Sequence, residues 1–147
     1  MTFRHSIHIE APVEDVFGFF RDPGNWAELA SEGSPNLYDI HLTEGGVGTS
    51  YRWSARLAFL KLDGANRFTT FIPNHLIRDE SSRSIEGTWT YRFEPEGVGT
   101  RFTIENEQTS FWRLPPLRQI MDYLAGQGHK RMLAALKARL EQPSQND

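Results

Sequence analysis

The sequence predicts an α+β domain: a curved antiparallel sheet of about seven strands wrapped around one long C-terminal helix, with two short helices after the first strand. Three observations lead there. Pro115 to Glu141 is the only stretch with helical apolar spacing long enough for a major helix. From Leu37 to Gln108, alternating apolar and polar runs are separated by glycine-, proline- and serine-rich turns. Two short helical patterns lie between the first strand-like run and the second.

The elements follow in order. Phe3, His5, Ile7 and Ile9 alternate with Arg4, Ser6, His8 and Glu10, the pattern of a half-buried strand that Ala11-Pro12 ends. Val13, Val16, Phe17 and Phe20 then share one helical face, and Glu14 and Asp15 sit near its start, where the helix dipole favours acids. Asp22-Pro23-Gly24 breaks this helix, and Asn25 to Leu29 reads as a second. Leu37 to Thr43 is the next strand, closed by the glycine-rich turn Glu44 to Gly48. Thr49 to Leu62 reads as one long strand with Tyr51, Trp53, Ala55, Leu57 and Phe59 on one face, and Asp63-Gly64 as a hairpin turn.

Arg67 to Ile72, a Pro73-Asn74 turn and His75 to Glu80 come next, followed by a serine-rich turn at Ser81 to Ser84. Ile85 to Phe93 and Thr100 to Gln108 complete the sheet around the turn Glu94 to Gly99; Phe102, Ile104 and Asn106 share a face. Short connections make these six strands an antiparallel meander with one wet and one covered face. The four residues GVGT occur at Gly46–Thr49 and again at Gly97–Thr100, two similar hairpin entries.

In the C-terminal helix, Pro115 and Pro116 suit the first turn, where a missing N–H is harmless. Leu117, Ile120, Met121, Leu124 and Gly128 share a face, while Met132, Leu136 and Leu140 form a second, rotated stripe. Gly126 and Gly128 mark the change and predict a kink. Residues 1–142 are expected to form a single ligand-binding domain, and 143–147 a polar, disordered tail.

Composition narrows the function classes. The 147 residues are 38% hydrophobic and 24% charged with a net charge of −3, which gives no concentrated positive surface for nucleic acid. The absence of cysteine excludes disulfides, thiolate metal sites and a cysteine nucleophile, and fits a reducing compartment. No apolar run has the length of a signal peptide or a membrane span, so the expected location is cytoplasmic. Arg118, Lys130, Arg131, Lys137 and Arg139 outnumber Asp122 and Glu141 on the helix; a solvated outer face is the favoured reading, weak contact with an anionic membrane surface the other. Monomer and homodimer stay open.

Three segments carry a family resemblance: IHIEAPVEDVFGFFRDPGNWAEL at 7–29, GGVGTSYRW at 45–53 and GTWTYRFEPEGVGTRFTIENE at 87–107. With the final helix, the chain resembles the helix-grip superfamily, also called START-like, Bet v 1-like or SRPBCC, and within it the polyketide cyclase/dehydrase and lipid-transport branch. The resemblance implies a helix-grip fold holding a small hydrophobic molecule between sheet and helix. It carries no universal catalytic motif to transfer.

The strand phases reach a lining independently. Inward apolar faces would bring together Tyr38, Tyr51, Trp53, Phe68, Thr70, Trp89, Tyr91 and Asn106, faced by Ile120, Met121 and Leu124 from the helix. Aromatics with a few polar groups are how small-molecule pockets are built, although a filled core uses the same side chains. Glycines 87, 126 and 128 leave room and favour a cavity. Asn106 either orients a ligand carbonyl or bonds a neighbouring tyrosine, and the tyrosines serve as structural groups or general acids.

His5 and His8 fall on opposite faces and cannot share a metal; no metal, nucleotide or phosphate motif occurs, so neither metal nor cofactor is expected. Asp39 and His41 share a face, which Tyr38, Ile40 and Leu42 place in solvent. Glu105 and Glu107 point outward, and the pattern leaves open whether Arg78 or Asp79 turns inward. Trp26 is either a gate or a packing anchor. Three functions remain: binding or transport of a hydrophobic or aromatic molecule; a cyclase- or dehydrase-type enzyme using tyrosine and asparagine; and a quinone- or lipid-handling protein at a membrane surface.

Overall fold

The computed structural model describes residues 2–29, 34–57, 60–108, 127 and 130–141. Its elements are β1 (Thr2–Ile9), α1 (Val13–Phe20), α2 (Pro23–Ala27), β2 (Asn36–His41), β3 (Ser50–Leu57), β4 (Leu60–Ile72), β5 (Leu76–Arg83), β6 (Gly87–Glu96) and β7 (Gly99–Gln108). Residues 130–140 are helical. The strands form one antiparallel sheet in the order β1-β7-β6-β5-β4-β3-β2. Six consecutive strands make the meander, and β1 closes its end by pairing with β7 from Thr2↔Glu107 to Ile9↔Thr100.

The two short helices form for local reasons and cover one end of the inner face. Val16, Phe17 and Phe20 are the buried stripe of α1. Asp22 caps α2 by accepting a hydrogen bond from the Gly24 N–H at 2.8 Å, and Pro23 opens it. Phe20 lies 4.6 Å from Tyr91 and 4.9 Å from Phe102, while Phe17 meets Phe71 and Phe93 edge-on at 5.1 and 5.0 Å. Each such ring contributes about 2–3 kcal/mol through burial. Trp26 is an anchor rather than a gate. Its indole N–H donates to the Phe20 carbonyl at 2.8 Å, and its ring packs on Phe20, Tyr51, Phe68 and Tyr91.

The C-terminal helix is tied down at its last turns. Leu133 and Leu136 are buried, with Met132 and Leu140 packed beside them, so the expected second stripe is present and Leu133 joins it. Lys137 donates to the His8 carbonyl at 2.8 Å and pairs with Glu141, which accepts from the Glu10 N–H at 3.0 Å. Arg139 stands over the Phe19 ring. Two of the basic residues read as a solvated face are therefore structural ties. The expected kink at Gly126 and Gly128, the first stripe and the 143–147 tail lie outside the described residues.

Register corrects several boundaries. Asp63-Gly64 is no turn: β3 and β4 pair continuously from Ser50↔Arg67 to Leu57↔Leu60, and Gly64 sits opposite Trp53 inside β4. Glycine is needed there because a Cβ would lie 2.3 Å from the Trp53 indole. Ser81 belongs to β5, not to a serine-rich turn. At Gly87 a Cβ would lie 2.7 Å from the Glu107 carbonyl oxygen, so this glycine permits close strand approach rather than opening a cavity.

Gly64→Ala should cost about 1–3 kcal/mol, because Trp53 must move from its packed position. Gly45→Ala, whose Cβ meets nothing within 4 Å, should shift stability by no more than about 0.5 kcal/mol. Urea denaturation of both variants checks the pair. Equal stability would refute the packing role of Gly64.

Candidate functional site

Alternation and two bulges decide which side chains enter the concave face. Along β4, Leu62, Gly64, Asn66 and Phe68 point inward, and they meet Tyr51 and Trp53 of β3. The β4–β5 register shifts between Phe68 and Thr70, which sets Phe68 opposite Asp79 but Thr70 opposite Arg78 on the outer face. Thr70 therefore leaves the expected lining, and Phe71, opposite Ile77, takes the inward place. A second irregularity lies between Tyr38 and His41, where Asp39 has φ +55°. It turns Leu37 and Ile40 inward and leaves Tyr38 outside, 37% exposed and beneath the Arg52 guanidinium. Tyr38 is thus also removed from the lining. Asp39 and His41 are in solvent as expected, 3.1 Å apart.

Tyr51, Trp53, Phe68, Tyr91 and Asn106 are buried on the inner face, and Trp89 packs partly buried against the same core. Ile120, Met121 and Leu124 lie outside the described residues. The central row of the face runs Phe3, Asn106, Trp89, Asp79, Phe68 across five strands. Asp79, not Arg78, is the charged residue that turns inward; it is fully buried.

A chain of hydrogen bonds surrounds it. Tyr51 Oη donates to Asp79 Oδ2 at 2.6 Å. Trp53 Nε1 donates to Asn66 Oδ1 at 2.9 Å, leaving the Asn66 amide N–H to support the Asp79 carboxyl. Burial raises the Asp79 pKa from 3.8 to about 7, against the opposing effect of the Tyr51 and Asn66 hydrogen bonds. Burial, followed by the neighbouring Asp79 charge, pushes both Tyr51 and Tyr91 well above the usual phenol range.

Four buried polar atoms on this face have no hydrogen-bond partner among the described residues: Asp79 Oδ1, Ser81 Oγ and both amide atoms of Asn106. Such groups are costly unless something satisfies them. Asp79 and Asn106 flank Trp89, two strand spacings or about 10 Å apart. A depression of about 970 Å³ near Ser50, Arg67, Glu80 and Thr88 opens mainly between outward-facing residues, although Asn66, Phe68 and Ser81 also border it. It is solvent-exposed and charged, so the buried row is the better candidate site. No group of three or more histidine and carboxylate side chains among the described residues is arranged to hold a metal.

Asn66 and Ser81 are site residues that sequence reasoning misses, and Asp79 is one that it leaves open against Arg78. A turn placed at Asp63-Gly64 hides the phase that Asn66 shares with Leu62 and Phe68, and a serine-rich turn hides Ser81. For Asp79 a signal exists: apolar Ile77, two residues earlier, marks the inward face.

The family model described as polyketide cyclase/dehydrase and lipid transport matches residues 1–141. The chain belongs to this family. Members bind hydrophobic ligands or act as polyketide cyclases. Solved structures agree on the helix-grip fold of this polyketide cyclase/dehydrase family member. The protein TTHA0849 from Thermus thermophilus superposes with a TM-score of 0.81 at 22% identity, over 95% of this chain and 97% of its own. The Zhui aromatase/cyclase from Streptomyces sp. R1128 gives 0.81 at 11% identity, over 96% and 93%. Ara h 8.0201 gives 0.62 at 15%, over 95% and 97%. No curated protein matches in sequence. No helix among the described residues is long and apolar enough to cross a membrane.

The elevated Asp79 pKa has a consequence for stability. Folding raises this pKa, so its stabilising contribution is whole below about pH 4 and is lost as pH rises through about 7. The loss should reach about 1.4 kcal/mol per pH unit at its steepest. Asp79→Asn, which cannot ionise, should remove that component of the slope in urea titrations between pH 4 and 8. An unchanged slope would show that Asp79 does not titrate in this window.

Proposed function

We propose that the protein binds or carries one small hydrophobic or aromatic molecule between the concave face and the C-terminal helix. The observation that carries this reading is the set of buried polar atoms at Asp79, Ser81 and Asn106 that have no partner among the described residues, within an aromatic surface. Apolar walls give affinity, and a few convergent polar groups fix orientation. Tyr51, Trp53, Phe68, Trp89 and Tyr91 supply the walls nearest those groups. Family membership supports the ligand class without naming the ligand.

A second reading, a cyclase- or dehydrase-type enzyme, is favoured by the Tyr51–Asp79 pair. A carboxyl with a pKa of about 7 exchanges protons readily at neutral pH. Tyr51→Phe separates the two readings. Lost turnover with retained binding supports proton transfer, whereas unchanged behaviour leaves a carrier.

Native mass spectrometry of the purified protein, followed by denaturing extraction, should reveal a bound hydrophobic mass. Binding of that compound should weaken about tenfold in Asn106→Leu, the scale of one lost hydrogen bond. A protein that emerges empty and binds none of a panel of aromatics, fatty acids and quinones would refute the pocket.

A further inference from the structure

The ligand-binding reading leaves open what chemistry the polar end of the pocket recognises, and the charge distribution around Asp79 answers it. On the described strands every lysine and arginine is on the outer face or at an exposed strand end: Arg52 and Arg67 flank inward Tyr51, Asn66 and Phe68, and Arg78 and Arg92 flank inward Asp79 and Tyr91. Asp79 is thus a buried acid facing no protein cation among the described residues. Its Oδ2 is served by Tyr51, while its Oδ1 has no partner among the described residues. Among the described residues, Ser81 Oγ, two residues along the same face, and both the donor and the acceptor of the Asn106 amide are also unmet. A buried carboxylate demands positive charge, and aromatic faces such as that of neighbouring Trp89 also attract cations.

We propose that the ligand is an apolar or aromatic amine, bound with its protonated nitrogen at Asp79 Oδ1 and Ser81 Oγ. An ammonium supplies three N–H donors and the missing charge together. A neutral alcohol supplies one donor and no charge, and a carboxylate would meet Asp79 with repulsion. This inference rests on the ligand-binding reading but can fail without it.

The other groups facing Asp79 do not replace the cation. Tyr51 on β3 and Tyr91 on β6 are kept neutral by burial. β4 presents Asn66 and Phe68, and α2 presents Trp26 against both tyrosines. Glu80 is on the opposite face of β5 and adds negative charge. His5 on β1 lies in the next row, three strands away opposite Ile104. With Asp79 titrating near pH 7, the ionised fraction rises about tenfold between pH 6 and 8, and amine affinity should rise with it.

The test uses three probes that share one ring system: 2-naphthylmethylamine, 2-naphthylmethanol and 2-naphthoic acid. Calorimetry on the full chain at pH 6 and 8 should show the amine binding tightest at pH 8 and about tenfold more weakly at pH 6. Asp79→Asn should weaken the amine at least tenfold and the alcohol by a clearly smaller factor; Ser81→Ala should weaken the amine several-fold. If Asp79→Asn does not fold, carboxyl NMR on the wild type serves instead, with the titration of Asp79 moving to lower pH when the amine binds. The amine proposal is overturned if the alcohol or acid binds as tightly, or if amine affinity ignores both pH and these substitutions. Alcohol binding would then keep the hydrophobic-ligand reading alive. Failure of all three probes, with binding of an uncharged lipid or quinone, overturns the amine alone; failure of every compound overturns both.

Discussion

An antiparallel sheet with one apolar face must have that face covered, and nearly every feature of this protein answers to that constraint. Strand alternation sends Tyr51, Trp53, Phe68, Ile77, Tyr91, Phe93, Phe102 and Ile104 to the same side. Among the described residues, several elements share the cover. The two short helices seal one end with Phe17, Phe20 and Trp26, and the last turns of the C-terminal helix add Leu133 and Leu136. The helix can take that position because Lys137 and Glu141 hold it to the backbone at His8 and Glu10.

The cover is uneven in chemistry, and this separates core from site. Around Phe20 the rings meet at 4.6–5.9 Å, the spacing of ordinary aromatic packing. In the next two register rows polar groups enter the face, first Asp79 and Asn106 beside Phe68 and Trp89, then Asn66 and Ser81. Polar groups in a dry interior weaken a fold unless they are satisfied, so a concentration of unmet ones is a mark of use rather than of stability. The Tyr51–Asp79 hydrogen bond holds the carboxyl in one orientation and leaves its second oxygen facing inward.

Much of the architecture was legible in the sequence because it depends on local periodicity. The strand-helix-helix-meander-helix order follows from local periodicity, and the inward set Tyr51, Trp53, Phe68, Trp89, Tyr91 and Asn106 from alternation within single strands. The errors came where alternation is interrupted. The bulge after Phe68 expelled Thr70 and admitted Phe71, and the irregularity at Asp39 expelled Tyr38. Asp63-Gly64 looked like a turn because that dipeptide suits one, yet its glycine answers to the Trp53 ring across the strand.

By itself, then, the chain determined its fold class, its element order and most of its buried aromatic surface, since each rests on the chemistry of neighbouring residues. Only the tertiary structure decided that Phe71 rather than Thr70 enters the interior, and that Tyr51 and Asn66 meet Asp79 there. The reason is physical. A bulge reverses the facing of every later residue in its strand, and cross-strand register sets which side chains share a row. Neither is a property of a residue and its sequence neighbours. Both are settled when the strands pair.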